Sequence, residues 1–405
     1  MQDILKGMRI IEGSAFIAAP SGGMTLAQLG ADVIRFDMIG GGLDYGRWPI
    51  SSTGKSLYWH SLNKGKRSLA IDFRQPEGRE LLTQLIAAPG ETNGIFLSNF
   101  PARGWLADDQ LRAHREDLIY ISLAGDRHGG TALDYTVNSR VGLPYLFSED
   151  STPINNPFPA WDVIAGQHIA FGILAAERQR RIEGKGQLIK LSLNDVAMAT
   201  MGHLGYIMET EINLAERPYV GNHVYGSFGH DFACSDGRRV MVVGVSLSQW
   251  QALITATATA GDIKALEEKL SLDFNVEGHR FEAREELVQI FIPWFAARPY
   301  HAVTSALDAA GVCWGPYQTI AEMVHSDQEC SETNPLFQRI NQPGIGQVLT
   351  PGNPLEFSAT SRTPLRPAPL LGEHTDEILS EVFGLDSGAI GRLHDRGIVS
   401  GPHPD

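Results

Sequence analysis

Short apolar runs alternate with amphipathic stretches through the first third of the chain. The apolar runs cover residues 8–12, 32–37, 68–72, 95–98 and 118–123. Between them lie helical patterns, such as the one that opens at Pro20 and ends at Gly30, and another over residues 107–115. Strands that alternate with helices predict a parallel sheet with right-handed crossovers. The pattern therefore indicates an α/β protein whose large domain contains a Rossmann-like parallel sheet.

The middle of the chain continues this alternation. A long helical pattern follows the Trp161-Asp162 dipeptide and extends to about residue 184. A strand pattern covers residues 187–192, and Asn194 and Asp195 are placed to cap the helix beyond it. We expect these elements to carry the large domain to about residue 215.

The pattern changes after residue 217. A hairpin pattern covers residues 232–243, with the turn Ser235-Asp236-Gly237 inside it, and mostly helical stretches continue to about residue 310. We expect residues 216–330 to form a smaller α+β domain. The large domain then comprises residues 1–215 together with the returning chain at 331–405.

The returning chain is rich in proline between residues 341 and 369. The prolines are Pro343, Pro351, Pro354, Pro364, Pro367 and Pro369. This stretch shows neither a helical nor a strand period, which predicts an extended arm that lies along another surface. A helical pattern at about 375–383 is expected to rejoin the first domain.

The formal charge of the chain limits its partners. The chain has 33 basic and 47 acidic residues and a net charge of −14, so it repels nucleic acid and anionic lipid. No apolar run approaches the roughly 18 residues of a membrane span, and the N-terminus lacks a signal-peptide core. Cys234, Cys313 and Cys330 share no CxxC spacing, as expected of ordinary thiols. We therefore expect a cytoplasmic protein that binds neither nucleic acid nor membranes.

A dinucleotide site is the first chemistry to test, because a strand, a glycine turn, a helix and a strand ending in Asp37 follow one another. Such a site needs a G-x-G-x-x-G turn so that the backbone can approach a pyrophosphate. Residues 13–18 read GSAFIA and lack the second and third glycines. The turn therefore argues against NAD binding.

Seven segments resemble, in order, the signatures of the family III CoA-transferases. They read LKGMRII at 5–11, LGADVIR at 29–35, NKGKRS at 63–68, SNFP at 98–101, DVIAG at 162–166, GNHVYG at 221–226 and LGEHTDEIL at 371–379. Gly65 departs from the family, which has Asn at that position. The resemblance covers nearly the whole chain and implies an enzyme that moves CoA between carboxylic acids.

The resemblance implies that Asp162, which heads the DVIAG segment, is the catalytic nucleophile. A carboxylate attacks an acyl-CoA thioester to give a mixed anhydride, and the CoA thiolate then attacks the anhydride to leave an enzyme thioester. A carboxylate at the start of a helix beside Trp161 can be partly desolvated and positioned by the following backbone amides. The alternative is that Asp162 is a helix N-cap, and one aspartate can do both.

The resemblance also implies a set of CoA contacts. They are Ile17, Ala18, Arg47, Asn63, Lys66, Arg67, Asn99, Phe100 and Arg103. Lys66 and Arg67 would supply the local positive patch that phosphates require in an acidic chain, and a solvated basic turn is the alternative. Asn99 and Phe100 end a strand at the sheet edge where α/β proteins bind ligands, although Phe100 could equally be a core residue.

Two departures narrow the function. Formyl- and oxalyl-type members carry a glycine-rich loop that is absent around residues 242–250, and a Gln where this chain has Ile17. Racemases of the superfamily use a His-Asp pair, but the corresponding place here, at Asp134 and Tyr135, lacks the His. His128 is out of register and is expected to be a loop residue.

Residues 12–30 and 40–45 resemble one subgroup of the family, whose members move CoA between the two carboxyl groups of one mesaconate molecule. Three alternatives stay open: a CoA-transferase that uses a separate dicarboxylate such as succinate, an acyl-CoA racemase, and a catalytically silent CoA-binding protein. The resemblance further implies an interlocked homodimer, an acyl-CoA substrate, and no metal or redox cofactor.

Overall fold

The computed structural model describes residues 1–150 and 152–402, which form two compact units. The first unit contains Met1–Gly142, Asn155–Ala215 and the chain from Ser331 onwards. The second contains Leu143–Ile154 and Glu216–Cys330. No helix in the described part of the chain is long and apolar enough to cross a membrane.

The first unit is built on a seven-stranded sheet with the order β12-β3-β2-β1-β4-β5-β6. Its strands are β1 (Arg9–Gly13), β2 (Asp32–Asp37), β3 (Arg67–Ile71), β4 (Ile95–Ser98), β5 (Ile119–Ala124), β6 (Leu188–Ser192) and β12 (Val399–Ser400). The strands pair in parallel, except that the short β12 runs antiparallel to β3. The predicted parallel α/β sheet is confirmed, and each predicted strand lies within a residue or two of its expected bounds.

Helices cover the sheet of the first unit. They are α1 (Ala18–Gln28), α2 (Leu57–Leu62), α3 (Pro76–Ile86), α4 (Asp108–Arg112), α5 (Asp134–Arg140), α6 (Ala160–Glu183), α7 (Leu193–His203), α8 (Tyr206–Asn213), α15 (Thr375–Phe383) and α16 (Ser387–Asp395). The central strands are buried on both faces, so Ile34, Phe36 and Phe96 lie in one core with residues of α3 and α15. This burial explains why the strands are rich in apolar residues.

The start of α7 differs from its prediction. The Ser192 hydroxyl, rather than Asn194 or Asp195, caps the helix and accepts a hydrogen bond from the Asp195 amide. Ser192 ends β6 and opens α7 at once, so no loop separates the two elements. The prediction that Asn194 and Asp195 supply the cap is therefore wrong.

The second unit combines a three-stranded antiparallel sheet with helices. Its strands are β7 (Phe228–Ala233), β8 (Arg239–Gly244) and β9 (Cys313–Tyr317). Its helices are α9 (Leu247–Thr257), α10 (Ala260–Leu270), α11 (Glu277–Glu282), α12 (Arg284–Ala296), α13 (Tyr300–Ala310) and α14 (Ile320–Ser326). The predicted hairpin is the β7–β8 pair. The core of the second unit is aromatic, and the stacked rings of Phe232 and Phe295 have their centres 4.3 Å apart.

The proline-rich return corrects the sequence interpretation. Its first part forms a hairpin of β10 (Phe337–Gln342) and β11 (Gly346–Pro351), where no strand was expected. Pro343 lies in the turn and Pro351 ends its strand, so these two prolines bound the hairpin without interrupting its hydrogen bonds. Residues 352–374 contain no helix or strand, as predicted for that part.

Candidate active site

Asp162 is the third residue of α6 and lies near the start of α1. The N-cap position of α6 is Pro159, and no side chain of the helix caps it. The alternative reading of Asp162 as the N-cap is therefore wrong. Burial and, second to it, the charge of Asp134 raise the pKa of its carboxyl to about 7, and the Arg47 guanidinium opposes both effects. Asp162 is thus a desolvated carboxyl that changes charge near neutral pH.

Close packing of α1 against α6 sets the position of Asp162. A Cβ added at Gly166 would lie 2.1 Å from Ser21 Oγ and 3.0 Å from the Ala18 carbonyl, and one at Gly22 would lie 2.7 Å from Ile169. Residue numbers rise together along this contact, so the two helices run in the same direction. Asp162, one turn before Gly166, therefore lies level with the end of the loop that leads into α1, just before the first turn of that helix.

The loop between β1 and α1 is held by side chains from two other segments. Asn99 Oδ1 accepts a hydrogen bond from the Ala15 amide (3.0 Å), and its Nδ2 donates to the Ala15 carbonyl (2.7 Å). Phe16 has a φ of 70°, a left-handed conformation that is strained for a bulky residue, and its amide donates to Asp44 Oδ2 (2.9 Å). Ile17 then takes the N-cap position of α1. The loop thus presents the first-turn amides of α1 in a set geometry.

The Arg47 guanidinium and the Tyr58 hydroxyl lie near Asp162. The Arg47 guanidinium carbon lies 5.3 Å from the centre of the Phe16 ring and 5.2 Å from that of Tyr58. Among the described residues, no carboxylate lies within ion-pair distance of Arg47. The buried Tyr58 hydroxyl has no hydrogen-bond partner in the described part of the chain. Burial raises the pKa of Tyr58, Arg47 lowers it, and the charge of Asp162 raises it.

A buried network of charged side chains stabilises the loop between β1 and α1. Arg35 donates to Asp37 through Nε (2.8 Å) and to Asp44 through Nη2 (3.0 Å). Lys66 Nζ donates to Glu12 Oε1 (2.8 Å), and both of these side chains are completely buried. Because Asp44 receives the Phe16 amide and is itself held by Arg35, the network fixes the strained turn before α1.

Lys66 and Arg67 were predicted to form a phosphate-binding patch, but in the structure both side chains have partners within the chain. Lys66 Nζ is enclosed and also donates to the Asn63 side chain and the Pro20 carbonyl (2.8 Å each). Arg67 forms ion pairs with Asp32, Glu377 and Glu381 on the surface of β3 and α15. Every cationic group of this pair is therefore committed within the chain. The physical reason is that the loop at 63–66 turns inward, where the Glu12 carboxylate requires a counter-charge.

Asn99, Phe100 and Arg103 follow β4 at the carboxyl edge of the sheet, whereas Asn63 lies in the loop before β3. Asn99 follows β4 and acts on the loop before α1, as described above. The Phe100 ring packs edge-on against Phe36, with the ring centres 6.2 Å apart, so it belongs in part to the core. Arg103 is exposed and has no ion pair within the described residues. The Asn63 amide binds Lys66 and Arg35.

Three residues of the site escaped the sequence interpretation as functional groups. Tyr58 belongs to α2 and carried no motif. Asp134 and Asn138 of α5 bind the backbone and side chain at Asp162 and Trp161. The sequence feature that could have identified Asp134 and Asn138 is their spacing of four residues, because it places both side chains on one face of a helix. His128 is an exposed loop residue, as predicted.

In the described part of the chain, no group of three or more acidic, cysteine or histidine side chains could hold a metal ion.

Comparison with known proteins places the whole chain in one group. The family model described as CoA-transferase family III matches residues 5–375. A 2-methylfumaryl-CoA isomerase from Chloroflexus aurantiacus is 56% identical over 99% of both chains. A succinyl-CoA:glutarate CoA-transferase from Mus musculus is 28% identical over 98% of this chain and 90% of its own length.

Solved structures agree with this placement. The crystal structure of a CAIB/BAIF family protein from Brucella suis superposes with a TM-score of 0.75 and 25% identity. The alignment covers 94% of this chain and 100% of that chain.

Proposed function

The chain belongs to CoA-transferase family III, and from this membership we propose that it moves CoA between the two carboxyl groups of mesaconate. The substrate would be 2-methylfumaryl-CoA and the product 3-methylfumaryl-CoA. The 56% identity to a 2-methylfumaryl-CoA isomerase supports this substrate. The observation that carries the mechanism is the desolvated Asp162 carboxyl beside the loop that leads into α1.

The reaction proceeds through covalent intermediates on Asp162. Its carboxylate attacks the C1 thioester carbonyl, and CoA leaves as the thiolate, giving a mixed anhydride. The thiolate attacks the aspartyl carbonyl of that anhydride, releases the C1 carboxylate and forms an aspartyl-CoA thioester. The C4 carboxylate then attacks this thioester and displaces the thiolate, which attacks the C4 carbonyl to give product and free Asp162. No net proton or electron is consumed.

The surroundings of Asp162 suit both the attack by its carboxylate and the formation of the oxyanion at the attacked carbonyl. A carboxylate with a pKa of about 7 is more basic, and so more nucleophilic, than an ordinary aspartate, and it is ionised above neutral pH. The converging N-terminal turns of α1 and α6 direct backbone amides towards the oxyanion that develops at the attacked carbonyl. Ile17 and Ala18 would contribute through this turn.

The mesaconate must stay bound while CoA is attached to Asp162. This requires a protein group that binds the mesaconate carboxylate that is not reacting. Near Asp162, and within the described residues, the Arg47 guanidinium has no ion-pair partner and the Tyr58 hydroxyl has no hydrogen-bond partner. Together they would bind that carboxylate while CoA is on the enzyme. Holding the acid makes the second attack intramolecular, an advantage of several kcal/mol. For CoA itself, Asn99, Phe100 and the exposed Arg103 at the same sheet edge remain our proposed contacts.

We also propose that the protein is an interlocked homodimer. No residue of α8 is buried, although Ile207, Met208 and Ile212 are large apolar side chains that are more than half exposed. An apolar helix face of this kind is typical of a subunit interface. The irregular segment 352–374 would be part of the wrap around the second subunit.

The proposed function is tested by incubating the purified enzyme with 2-methylfumaryl-CoA, first alone and then with isotope-labelled free mesaconate or succinate. We expect isomerisation without incorporation of label. Incorporation of label would identify an intermolecular transferase. Uptake of solvent deuterium at the α-carbon of a 2-methylacyl-CoA would identify a racemase. The absence of any turnover would identify a silent CoA-binding protein. Any of these results contradicts the proposal.

The role of Asp162 is tested by replacement and trapping. Asp162→Ala should abolish turnover and leave the fold intact, and hydroxylamine added during turnover of the wild type should modify Asp162. Asp262→Ala is the matched control, because Asp262 is an exposed first-turn acid in α10. Near-normal activity of Asp162→Ala would contradict the assignment of Asp162 as the nucleophile.

A further inference from the structure

Helix α5 holds the Trp161-Asp162 dipeptide at two points. Asp134 Oδ2 accepts a hydrogen bond from the Asp162 amide (3.0 Å), and Asn138 Oδ1 accepts one from Trp161 Nε1 (3.2 Å). The two α5 residues are one helical turn apart and each is 3% exposed. Both are therefore built into the core and directed at the same short segment of α6.

The Asp134 contact supplies what α6 lacks locally. A helix begins with backbone N–H groups that have no partner inside the helix, and a side chain at the N-cap ordinarily satisfies one of them. Pro159 occupies the N-cap of α6 and has no side-chain acceptor. The carboxylate of Asp134 takes that place from another helix, 28 residues earlier in the chain.

An acidic cap in this position does more than hold the helix. A neutral acceptor such as a serine or asparagine would bond the same amide without placing a second negative charge against Asp162. The arrangement instead places the charge of the buried Asp134 where it acts on the partly buried Asp162 carboxyl, which is costly unless the interaction serves the site.

We infer that Asp134 is a positioning residue for the proposed reaction. It anchors the backbone of the nucleophile Asp162, and its negative charge keeps that nucleophile basic. Asn138 anchors the adjacent Trp161, so that the indole covers the start of α6 in one orientation. This inference rests on the proposed role of Asp162 as the nucleophile.

The charges around Asp162 agree with this assignment. The ionisable groups that act on Asp162, or are acted on by it, are Asp134 of α5, Arg47 of the loop before α2 and Tyr58 of α2. Helix α1 has no ionisable side chain to add. Burial is the first cause of the raised pKa of Asp162 and the charge of Asp134 the second, with Arg47 opposing them. Burial also raises the pKa of Asp134, and the amides of Asp162 and Trp161 lower it.

Two variants separate the roles of charge and hydrogen bond. Asp134→Asn keeps an oxygen acceptor for the Asp162 amide and removes the charge. We expect the acid limb of its kcat/KM profile to move to lower pH by about one unit. At high pH its kcat should fall about threefold if the carboxylate follows a Brønsted slope like that of thiolates. Asp134→Ala should show the same displaced limb and a further loss of kcat, because the backbone anchor is also gone.

A spectroscopic measurement makes the test independent of activity. The Asp162 carboxyl is titrated by NMR in protein labelled with carbon-13 at the aspartate carboxyls, and its resonance is identified by its absence from Asp162→Asn. The midpoint should be lower in Asp134→Asn than in the wild type, and unchanged in Asp262→Asn, which removes an exposed first-turn acid elsewhere.

The outcomes are distinguishable from failure of the proposed function. If Asp162→Ala remains active, Asp162 is not the nucleophile, yet the NMR midpoint still reports whether Asp134 acts on it. An unchanged midpoint and unchanged acid limb in Asp134→Asn would overturn the inference even when Asp162→Ala is inactive, and would leave Asp134 as a structural cap. Wild-type kinetics in Asp134→Ala would overturn it as well.

Discussion

Gly166 of α6 lies so close to Ser21 of α1 that a Cβ at position 166 would be 2.1 Å from the Ser21 hydroxyl oxygen. The same Cβ would be 3.0 Å from the Ala18 carbonyl. The glycine that ends the DVIAG segment thus has a packing role. It lets α6 approach α1 closely enough to bring Asp162 beside the loop that leads into that helix.

Replacement of this glycine should damage both packing and catalysis. Gly166→Ala forces α1 and α6 apart, and we expect a loss of about 1–3 kcal/mol in the free energy of unfolding from overpacking. Because Asp162 moves with the helix, kcat should fall at least tenfold in the folded protein. Denaturant unfolding and steady-state kinetics measure the two effects.

Gly202→Ala in α7 is the control for this prediction. Its Cβ would meet only Ile207, at an ordinary contact distance of 3.5 Å. Alanine is favoured over glycine inside a helix by about 0.5–1 kcal/mol, so this variant should be as stable as the wild type or more so. Equal behaviour of the two variants would show that the α1–α6 approach does not require a glycine.

The ionised Asp162 carboxylate should destabilise the folded protein. Its pKa is raised to about 7, above that of an unfolded aspartate near 4, so the folded state binds the extra proton between these values. Stability from this group is therefore lost as pH rises through that window. The neutral Asp162→Asn avoids the loss, and its advantage in unfolding free energy should grow from about pH 4 to a plateau above about pH 7, reaching at most about 4 kcal/mol. An advantage that does not change with pH contradicts the shift.

Lys66 should prove to be a structural residue. Its ammonium is the buried partner of Glu12, and removal of one member of a buried ion pair costs about 3–5 kcal/mol because the other charge is left unpaired. Lys66→Met should therefore lower the free energy of unfolding by that amount, and Glu12→Gln should recover part of the loss in the double variant. CoA affinity of the folded fraction, measured by calorimetry, should change less than twofold.

Lys64→Met is the comparison for Lys66. Burial lowers the pKa of Lys64 to about 8, and no carboxylate among the described residues offsets that burial. Its removal should leave stability unchanged or improved. A stable Lys66→Met with weakened CoA binding would restore the original interpretation of Lys66 as a phosphate contact.

Tyr58 should control retention of the free acid. Tyr58→Phe removes the buried hydroxyl and keeps the ring beside Arg47. A hydrogen bond to a charged group contributes about 1.5–3 kcal/mol, so the acid should escape roughly 10–100 times faster from the enzyme that carries CoA. The measurement is incorporation of labelled mesaconate into product during turnover.

Tyr120→Phe is the control for acid retention, because the Tyr120 hydroxyl is buried in the sheet core beside Phe96. This variant should incorporate no more label than the wild type. If Tyr58→Phe behaves in the same way, the Tyr58 hydroxyl does not hold the acid.

Interlocked subunits should not separate without unfolding. If the two chains thread each other, dissociation and loss of structure are coupled. Dilution into the nanomolar range should yield no folded monomer by sedimentation. Tagged and untagged protein should form mixed dimers only after denaturation and refolding. Rapid exchange between native dimers would show that the subunits only touch.

The strands and the candidate nucleophile could be predicted from the sequence because both are marked by local patterns. A strand buried on both faces of a parallel sheet is rich in apolar residues, and β1, β2 and β4 show this, although β1 and β2 also carry the buried Glu12 and Arg35. Asp162 is marked by its place at the start of a long helical pattern and in a segment that resembles the family signature.

The partners of the charged and polar side chains were decided by tertiary structure alone. Lys66 meets Glu12 across 54 residues of chain, and Asp134 meets Asp162 across 28. A periodic pattern states which face of an element is buried, but it does not state which polar atoms will meet inside. That depends on how strands and helices stack. Lys66 therefore resembled a phosphate ligand in the sequence, whereas in the fold the buried carboxylate of Glu12 binds its charge.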